Sequence, residues 1–202
     1  MNAPAPTVFV VDDDNSTREL LAWLMKRNGL AFEAFPDARS FLESYETERP
    51  GCLVLDLNMP GMNGLDLQQY LKEQGVLLPV IFLSAGADIP KAVRAVREGA
   101  VDFIEKPFDY KRVVELVRVC LERDRVLRAG RERRKSMSDR LGQLTQRERE
   151  VLDLVVAGKH NREIAEALDI SIKTVEAHRA RLMEKLEVGS LAELVQAVVA
   201  AG

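Results

Sequence analysis

The stretch TVFVVDDDNSTRELLAWLM, residues 7–25, decides the fold. Five apolar or β-branched residues, 7–11, run directly into three carboxylates, and beyond them Leu20, Leu21, Trp23 and Leu24 recur at helical spacing. This reads as a buried strand, an acidic turn and a helix capped by Asp14, because aspartate is a favoured N-cap. The alternation continues outward. Apolar runs at 31–35 (AFEAF), 52–55 (CLVL), 79–84 (PVIFLS) and 101–105 (VDFIE) are separated by helical patterns carrying Phe41, Leu42 and Tyr45, then Leu67, Tyr70 and Leu71. Near-continuous apolar strands alternating with helices predict a doubly wound α/β domain, with a five-stranded, mostly parallel sheet covered on both faces.

From Lys111 onward, RVVELVRVCLERDRVLRAG reads as a helix that outlasts its apolar stripe. After Leu127 the chain turns polar and basic, RERRKSMSDR, as a linker does. Helical patterns then recur without strands at 145–157, 161–168, 172–186 and 190–199, predicting an all-α four-helix bundle. Thr145 with Glu148, Asn161, Ser171, and Ser190 with Glu193 are the expected caps. The division is thus 6–122, a linker over 123–139, and 140–202.

Charge follows the same division. The chain of 202 residues carries a net −3, which argues against a nucleic-acid partner only as an average. Residues 1–122 hold 13 basic and 19 acidic residues, a net of −6; 123–139 hold 7 and 3, a net of +4; 140–202 hold 9 and 10, a net of −1. The basic excess lies in the connector and hints at a polyanion. No apolar run approaches the roughly 18 residues of a membrane span, and the start MNAPAPTVFV lacks the basic n-region of a secretory signal, so no membrane association and a cytoplasmic location are expected. Cys52 and Cys120 lie in apolar patterns without a CxxC, and read as small buried residues.

In open α/β sheets ligands bind beyond the carboxyl ends of the strands. Asp12 and Asp13 follow the first strand, Asp56 ends the third, Ser84 ends the fourth and Lys106 follows the fifth. Several carboxylates at one sheet edge repel unless a hard cation lies among them, and Mg²⁺ takes one or two carboxylates with phosphate and water. An aspartate so screened can attack phosphorus, while an ammonium and a hydroxyl stabilise the equatorial oxygens.

The motifs VVDDD, VLDLNMPGMNG, LSAG and EKPF, in this order, resemble the receiver domain of two-component response regulators, a flavodoxin- and CheY-like fold, over roughly residues 6–122. The resemblance implies that Asp56 accepts phosphate from a sensor histidine kinase. It further implies that Asp12, Asp13, Asp56 and the backbone carbonyl of Asn58 hold Mg²⁺. Ser84, Phe103 and Lys106 fall on the switch positions, with a cis peptide before Pro107. A rival enzyme reading comes from D12-D13-D14-N15-S16, which fits the DxDx(S/T) pattern of haloacid-dehalogenase-like phosphatases with Asp12 as nucleophile and Asp14 as acid. It leaves Asp56, the MPGMNG loop and the second half unexplained.

In the second half, NREIAEALDISIKTVEAHRA, 161–180, reads as helix, turn, helix, a pair that also occurs in bundles that bind no DNA. At 3.6 residues per turn, Val175, Leu182 and Leu186 stack on one side of the second helix with Ile172 beside them. Opposite lie Lys173, Ala177, Ala180 and Glu184, flanked by Thr174, Glu176 and Arg181. Small residues on an exposed face let a backbone approach closely, as a major-groove reader needs. His178 sits nearer the packed side and reads as structural.

The stretch 142–202 resembles the helix-turn-helix domain of NarL/FixJ (LuxR-type) regulators, FixJ-like branch. The resemblance puts base reading on Glu176, Ala177 and Ala180, with Lys173, Thr174, Arg179, Arg181 and Lys185 as candidate phosphate contacts. It implies a non-enzymatic, phosphorylation-activated transcriptional regulator that binds double-stranded promoter DNA and RNA polymerase. The homodimer would form through the 89–122 surface, where Lys91, Arg94 and Arg97 are offered to a second protomer. The basic linker would add nonspecific phosphate attraction. The third reading, a receiver with a protein-binding bundle, predicts no salt-dependent duplex binding.

Overall fold

Short apolar strands alternating with helices favour parallel pairing, since each helix carries the chain back across a face of the sheet to the end where the previous strand began. The computed structural model describes the backbone of residues 4–86 and 89–201 and the side chains of 4–86 and 93–198. The chain divides into two compact units, Met1–Arg128 and Ala129–Gly202.

The first unit runs β1 (Thr7–Val11), α1 (Asn15–Arg27), β2 (Ala31–Phe35), α2 (Ala38–Ser44), β3 (Gly51–Asp56), α3 (Gly64–Glu73), β4 (Val80–Ser84), α4 (Ile89–Arg97), β5 (Asp102–Glu105) and the start of α5 (Tyr110–Gly142). All four strand pairings are parallel, in the order β2-β1-β3-β4-β5. The expected doubly wound five-stranded sheet is present. Alternate strand residues face opposite layers. Phe9, Val11, Leu53, Leu55 and Phe82 pack with Phe41, Leu67 and Leu71, whereas Val8, Val10, Val54, Ile81 and Leu83 pack with Leu21, Met25, Val113 and Val117. Cys52 and Cys120 are free and fully buried in the second layer.

Trp23 departs from the apolar stripe of α1. It is 50% exposed, with the Arg27 guanidinium 5.3 Å from its ring centre. Lys91 and the three residues around it in α4 lie outside the described side chains.

Residues 123–128, the start of the stretch read as linker, are anchored in this first unit. Asp124 is only 3% exposed; its Oδ2 accepts from the Gly51 N–H at 2.9 Å and from Arg128 Nε at 2.8 Å. Arg128 also donates to the carbonyls of Glu48 and Arg49, tying α5 to the loop before β3. Gly51 is required there, since a Cβ would stand 2.0 Å from the Thr7 carbonyl oxygen.

The second unit holds the rest of α5, then α6 (Gln146–Val156), α7 (Asn161–Leu168), α8 (Ile172–Leu186) and α9 (Leu191–Ala201). Thr145 and Glu148 form the reciprocal capping box of α6. The cap of α7 is His160 rather than Asn161; Glu163 accepts from the His160 N–H, and Asn161 lies inside the helix. Val151, Leu152, Val155, Ile164, Val175, Leu182 and Leu186 make the core. Ile172 is not part of it. Although its angle on α8 lies near the buried stripe, as the first helical residue it projects past the bundle and is 46% exposed. No helix among the described residues is long and apolar enough to cross a membrane.

Candidate functional site

Parallel strands all end at the same edge of the sheet, so residues just past β1, β3, β4 and β5 are brought together from distant parts of the chain. Lys106 Nζ lies 2.7 Å from Asp12 Oδ2 and 2.7 Å from Asp56 Oδ1. Asp12 is fully buried and Asp56 is 5% exposed. The second oxygen of each carboxylate takes a backbone N–H, from Asp14 to Asp12 at 2.9 Å and from Asn58 to Asp56 at 2.8 Å. Burial pushes the Asp12 carboxyl above its ordinary range, against the pull of Lys106. Burial works against the Lys106 ammonium too, but its hydrogen bonds to Asp12 and Asp56 more than offset this and raise it. The lysine is therefore a fixed cation between two carboxylates.

The other candidates stand around this trio. Asp13 is exposed. The Ser84 hydroxyl donates to the Gly86 carbonyl across a long 3.3 Å, while Lys106 N–H donates to the Ser84 carbonyl at 2.8 Å. Phe103 is half-buried against the first-face core, and the Lys106–Pro107 peptide is cis. Arg18, which the sequence reading did not single out, donates to the Asp12 carbonyl at 2.6 Å.

One ammonium between Asp12 and Asp56, with Asp13 beside them, leaves excess negative charge and hard oxygen donors, a set that fits Mg²⁺. Among the described residues no group of three His, Cys, Asp or Glu side chains is placed to hold a metal ion, so Asp13 would have to turn toward Asp12 and Asp56 to complete the set, with protein backbone and water as the remaining ligands.

Asp14 has the opposite character. Its carboxylate caps α1, accepting from the Ser16 and Thr17 N–H groups and from the Thr17 hydroxyl. Those bonds, the hydroxyl's first, hold it below its ordinary range. A general acid must keep its proton near neutral pH. The phosphatase reading, which needs Asp14 in that role, is not favoured.

In the second unit the exposed face of α8 carries Lys173, Thr174, Glu176, Ala177, Ala180 and Arg181. Two of the basic residues assigned to phosphate contact are engaged within the bundle instead. Arg179 donates to Asn161 Oδ1 at 2.7 Å, and Lys185 Nζ lies 2.7 Å from Glu148 Oε2. Lys173 and Arg181 form no hydrogen bond or ion pair among the described residues. His178 is half-buried, as its angle implied.

Glu148 is 4% exposed and accepts from Lys185 and from the Thr145 N–H and hydroxyl. Lys185 above all holds it far below the usual 4.5, at about 2. A carboxyl depressed in the folded state stabilises fully above its unfolded value and loses that contribution as protonation sets in. The second unit should therefore weaken as pH falls from about 4.5 toward about 2, whereas Lys185→Met should cost about 2 kcal/mol at pH 7, discounted for the lysine's exposure. Urea unfolding of both chains at pH 7 and pH 3 checks this; an equal midpoint for the two at pH 7 would contradict it.

A parallel sheet with a lysine clamped between two buried carboxylates at its carboxyl edge, joined to a helix-turn-helix bundle, has the build of a response regulator. The family model for the response regulator receiver domain matches residues 8–118, and that for bacterial regulatory proteins of the luxR family matches residues 142–198. The chain belongs to the response-regulator family that joins a receiver to a luxR-type DNA-binding unit, of the FixJ-like kind. It is 43% identical to the transcriptional regulatory protein TdiR of Thauera aromatica, over 96% of this chain and 86% of that one. It is 40% identical to the transcriptional regulatory protein FixJ of Rhizobium meliloti, over 97% and 96%. Among solved structures, the response regulator StyR superposes with a TM-score of 0.87 at 42% identity, covering 96% of this chain and 98% of that one. Full-length FixJ from B. japonicum superposes at 0.60 with 34% identity, covering 99% and 98%.

Proposed function

We propose that the protein is a two-component transcriptional regulator in which a sensor histidine kinase phosphorylates Asp56 and thereby raises affinity for double-stranded promoter DNA. The observation that carries this is Lys106 held at 2.7 Å from both Asp12 and Asp56 in a chain that continues into a helix-turn-helix unit. In this reading 6–122 is the receiver, 123–139 the connector and 140–202 the DNA-binding domain, and the protein works in the cytoplasm.

An Asp56 carboxylate oxygen attacks the phosphorus of the kinase phosphohistidine. The P–N bond breaks, its electron pair stays on the imidazole, and an acyl phosphate forms on Asp56. A Mg²⁺ ion on Asp12, Asp13, Asp56 and the Asn58 carbonyl would offset the charge of carboxylates and phosphoryl oxygens. Acyl phosphate formation removes the Asp56 carboxylate charge that Lys106 faces, so the ammonium follows the charge onto the phosphoryl group. The Ser84 hydroxyl exchanges its long bond to Gly86 for a phosphoryl oxygen, and Phe103 turns into the space that it leaves.

That movement alters the 89–122 surface, through which the active homodimer forms. Val93 and Val96, 45% and 53% exposed, add apolar area beside the exposed Arg97, whereas Arg94 is paired with Glu98 of its own helix. Dimerisation sets two α8 helices on adjacent half-sites, each reading bases with Glu176, Ala177 and Ala180, and presents the pair to RNA polymerase.

Peptide mapping after acetyl phosphate treatment tests the first step. The expected adduct lies on the peptide bearing Asp56 and is lost when EDTA replaces Mg²⁺. An adduct on Asp12 would contradict the assignment.

A further inference from the structure

The cations of the second unit are unevenly occupied. From residue 140 on there are nine Lys and Arg residues, and among the described residues all but Lys173 and Arg181 donate to a carboxylate, an amide or a backbone carbonyl. The stretch RERRKS of α5, 131–136, is different: every residue is exposed, and Arg131, Arg133, Arg134 and Lys135 have no hydrogen bond or ion pair among the described residues. At about 100° per residue, Arg131, Arg134 and Lys135 share one face within an arc of about 100°.

This part of α5 has little reason of its own to be helical. Gly130 costs about 1 kcal/mol relative to alanine in a helix interior. Arg131 repels Arg134 at i,i+3 and Lys135 at i,i+4; Glu132 and Asp139 stand at helical spacing from Lys135, and Arg134 borders an open cleft with Glu187 and Glu193, but no ion pair closes to any of them among the described residues. The helix end is nonetheless fixed. Arg140 donates to the Leu186 carbonyl at 3.1 Å and to Glu187 at 2.5 Å, which clamps α5 to the C-terminal end of α8. The three cations lie 5 to 9 residues before that clamp, about 7–14 Å along the helix.

We propose that Arg131, Arg134 and Lys135 form a second, sequence-independent contact with duplex DNA, gripping phosphates that flank the base pairs under α8. This rests on the reading of α8 as a DNA-binding helix. Charge complementarity selects the occupant: three exposed cations on one helix face, none in an ion pair among the described residues, match a row of phosphates, whose charge also relieves the repulsion between Arg131 and its two basic neighbours. The connector is thus ordered by the DNA that it touches.

The test uses the full chain and two duplexes, a promoter core and the same core extended by about one helical turn at each end. Affinities are measured across a salt series for the wild type and for the combined Arg131→Gln, Arg134→Gln, Lys135→Gln chain. Each phosphate contact contributes about 0.9 to the slope of log K against log salt, so the triple variant should lose about 2 to 3 from the slope on the extended duplex and little on the core. Arg131→Lys with Arg134→Lys should keep the slope, separating charge from folding. Backbone hydrogen exchange over 130–136 should slow when the extended duplex binds.

An unchanged slope in the triple variant, with Lys173→Gln still lowering it, overturns the proposal while leaving the DNA-binding reading intact. No salt-dependent duplex binding by the wild type overturns both. Altered sedimentation with an unchanged slope also overturns it, and assigns the face to protein contact.

Discussion

An Asp56→Asn chain should take up no phosphoryl group from acetyl phosphate and Mg²⁺, and a promoter reporter dependent on this regulator should become unresponsive to its kinase. The expected loss is complete, because an amide offers no nucleophilic oxygen at neutral pH, Asp12 and Asp14 are engaged elsewhere, and the exposed Asp13 makes no contact with Lys106 among the described residues. Asp12 accepts from Lys106 and from the Asp14 N–H in a fully buried position, and Asp14 is consumed as the cap of α1. The substitution preserves shape and leaves Asp12 to pair with Lys106, so stability should change by no more than about 1 kcal/mol. Intact-mass analysis of the wild type and Asp56→Asn, with urea unfolding as the control for folding, makes the comparison. A phosphoryl adduct surviving in Asp56→Asn would sink the receiver chemistry.

Gly64→Ala should be nearly as damaging, for a steric reason. The N-terminus of α3 lies directly against the phosphoacceptor: Gly64 N–H donates to the Leu57 carbonyl at 3.1 Å. A Cβ on Gly64 would stand 2.3 Å from the Asp56 carbonyl oxygen and 2.9 Å from the Phe82 ring. Neither the backbone of β3 nor a fully buried ring can retreat cheaply, so the cost should be about 3 kcal/mol in the first unit. Relief by moving Asp56 would misplace the nucleophile, and displacements near 1 Å can cost about a hundredfold in rate. Gly61→Ala is the contrast. Gly61 has φ +77 with nothing within 4 Å of its Cβ position, so only the left-handed backbone cost of about 1 kcal/mol applies. Urea unfolding and phosphorylation rates of both variants separate the two effects; a Gly64→Ala chain no weaker than Gly61→Ala would contradict this account of the α3 entry.

Those two glycines show where sequence reading stops. The MPGMNG loop marks a turn, but only the fold shows that Gly61 supplies a conformation and Gly64 a space. Local physics was legible throughout. The strands at 7–11 and 31–35, the capping box of Thr145 and Glu148, and the buried stripe of Val175, Leu182 and Leu186 each follow from residues within one or two turns of each other. The site was legible at one remove, because parallel topology forces strand ends into one edge and so gathers Asp12, Asp56, Ser84 and Lys106.

Long-range pairing was not legible. Asp124 finds Gly51 across 73 residues, and Lys185 finds Glu148 across 37, with no periodicity to mark either. Both pairings reassign residues that composition alone describes differently: Asp124 lies within a basic stretch, and Lys185 on a helix that otherwise reads as a DNA face. End effects were missed for a related reason. Helical angle places Ile172 near the core, but angle carries no information about where along its axis a helix leaves the bundle. The cap of α7 shifted by one residue to His160, because Glu163 closes the first turn from within the helix and leaves Asn161 to hold Arg179.

The central claim is that phosphorylation at the Lys106 site controls DNA binding by α8, and one titration addresses it most directly. Promoter-duplex affinity is measured at one fixed salt concentration for the wild-type chain before and after phosphorylation, with sedimentation of the same samples. Phosphorylated protein should sediment as a dimer and bind at least about tenfold more tightly, corresponding to about 1.4 kcal/mol of coupling. Identical affinity and sedimentation in the two states, in samples shown by mass to be phosphorylated, would contradict it.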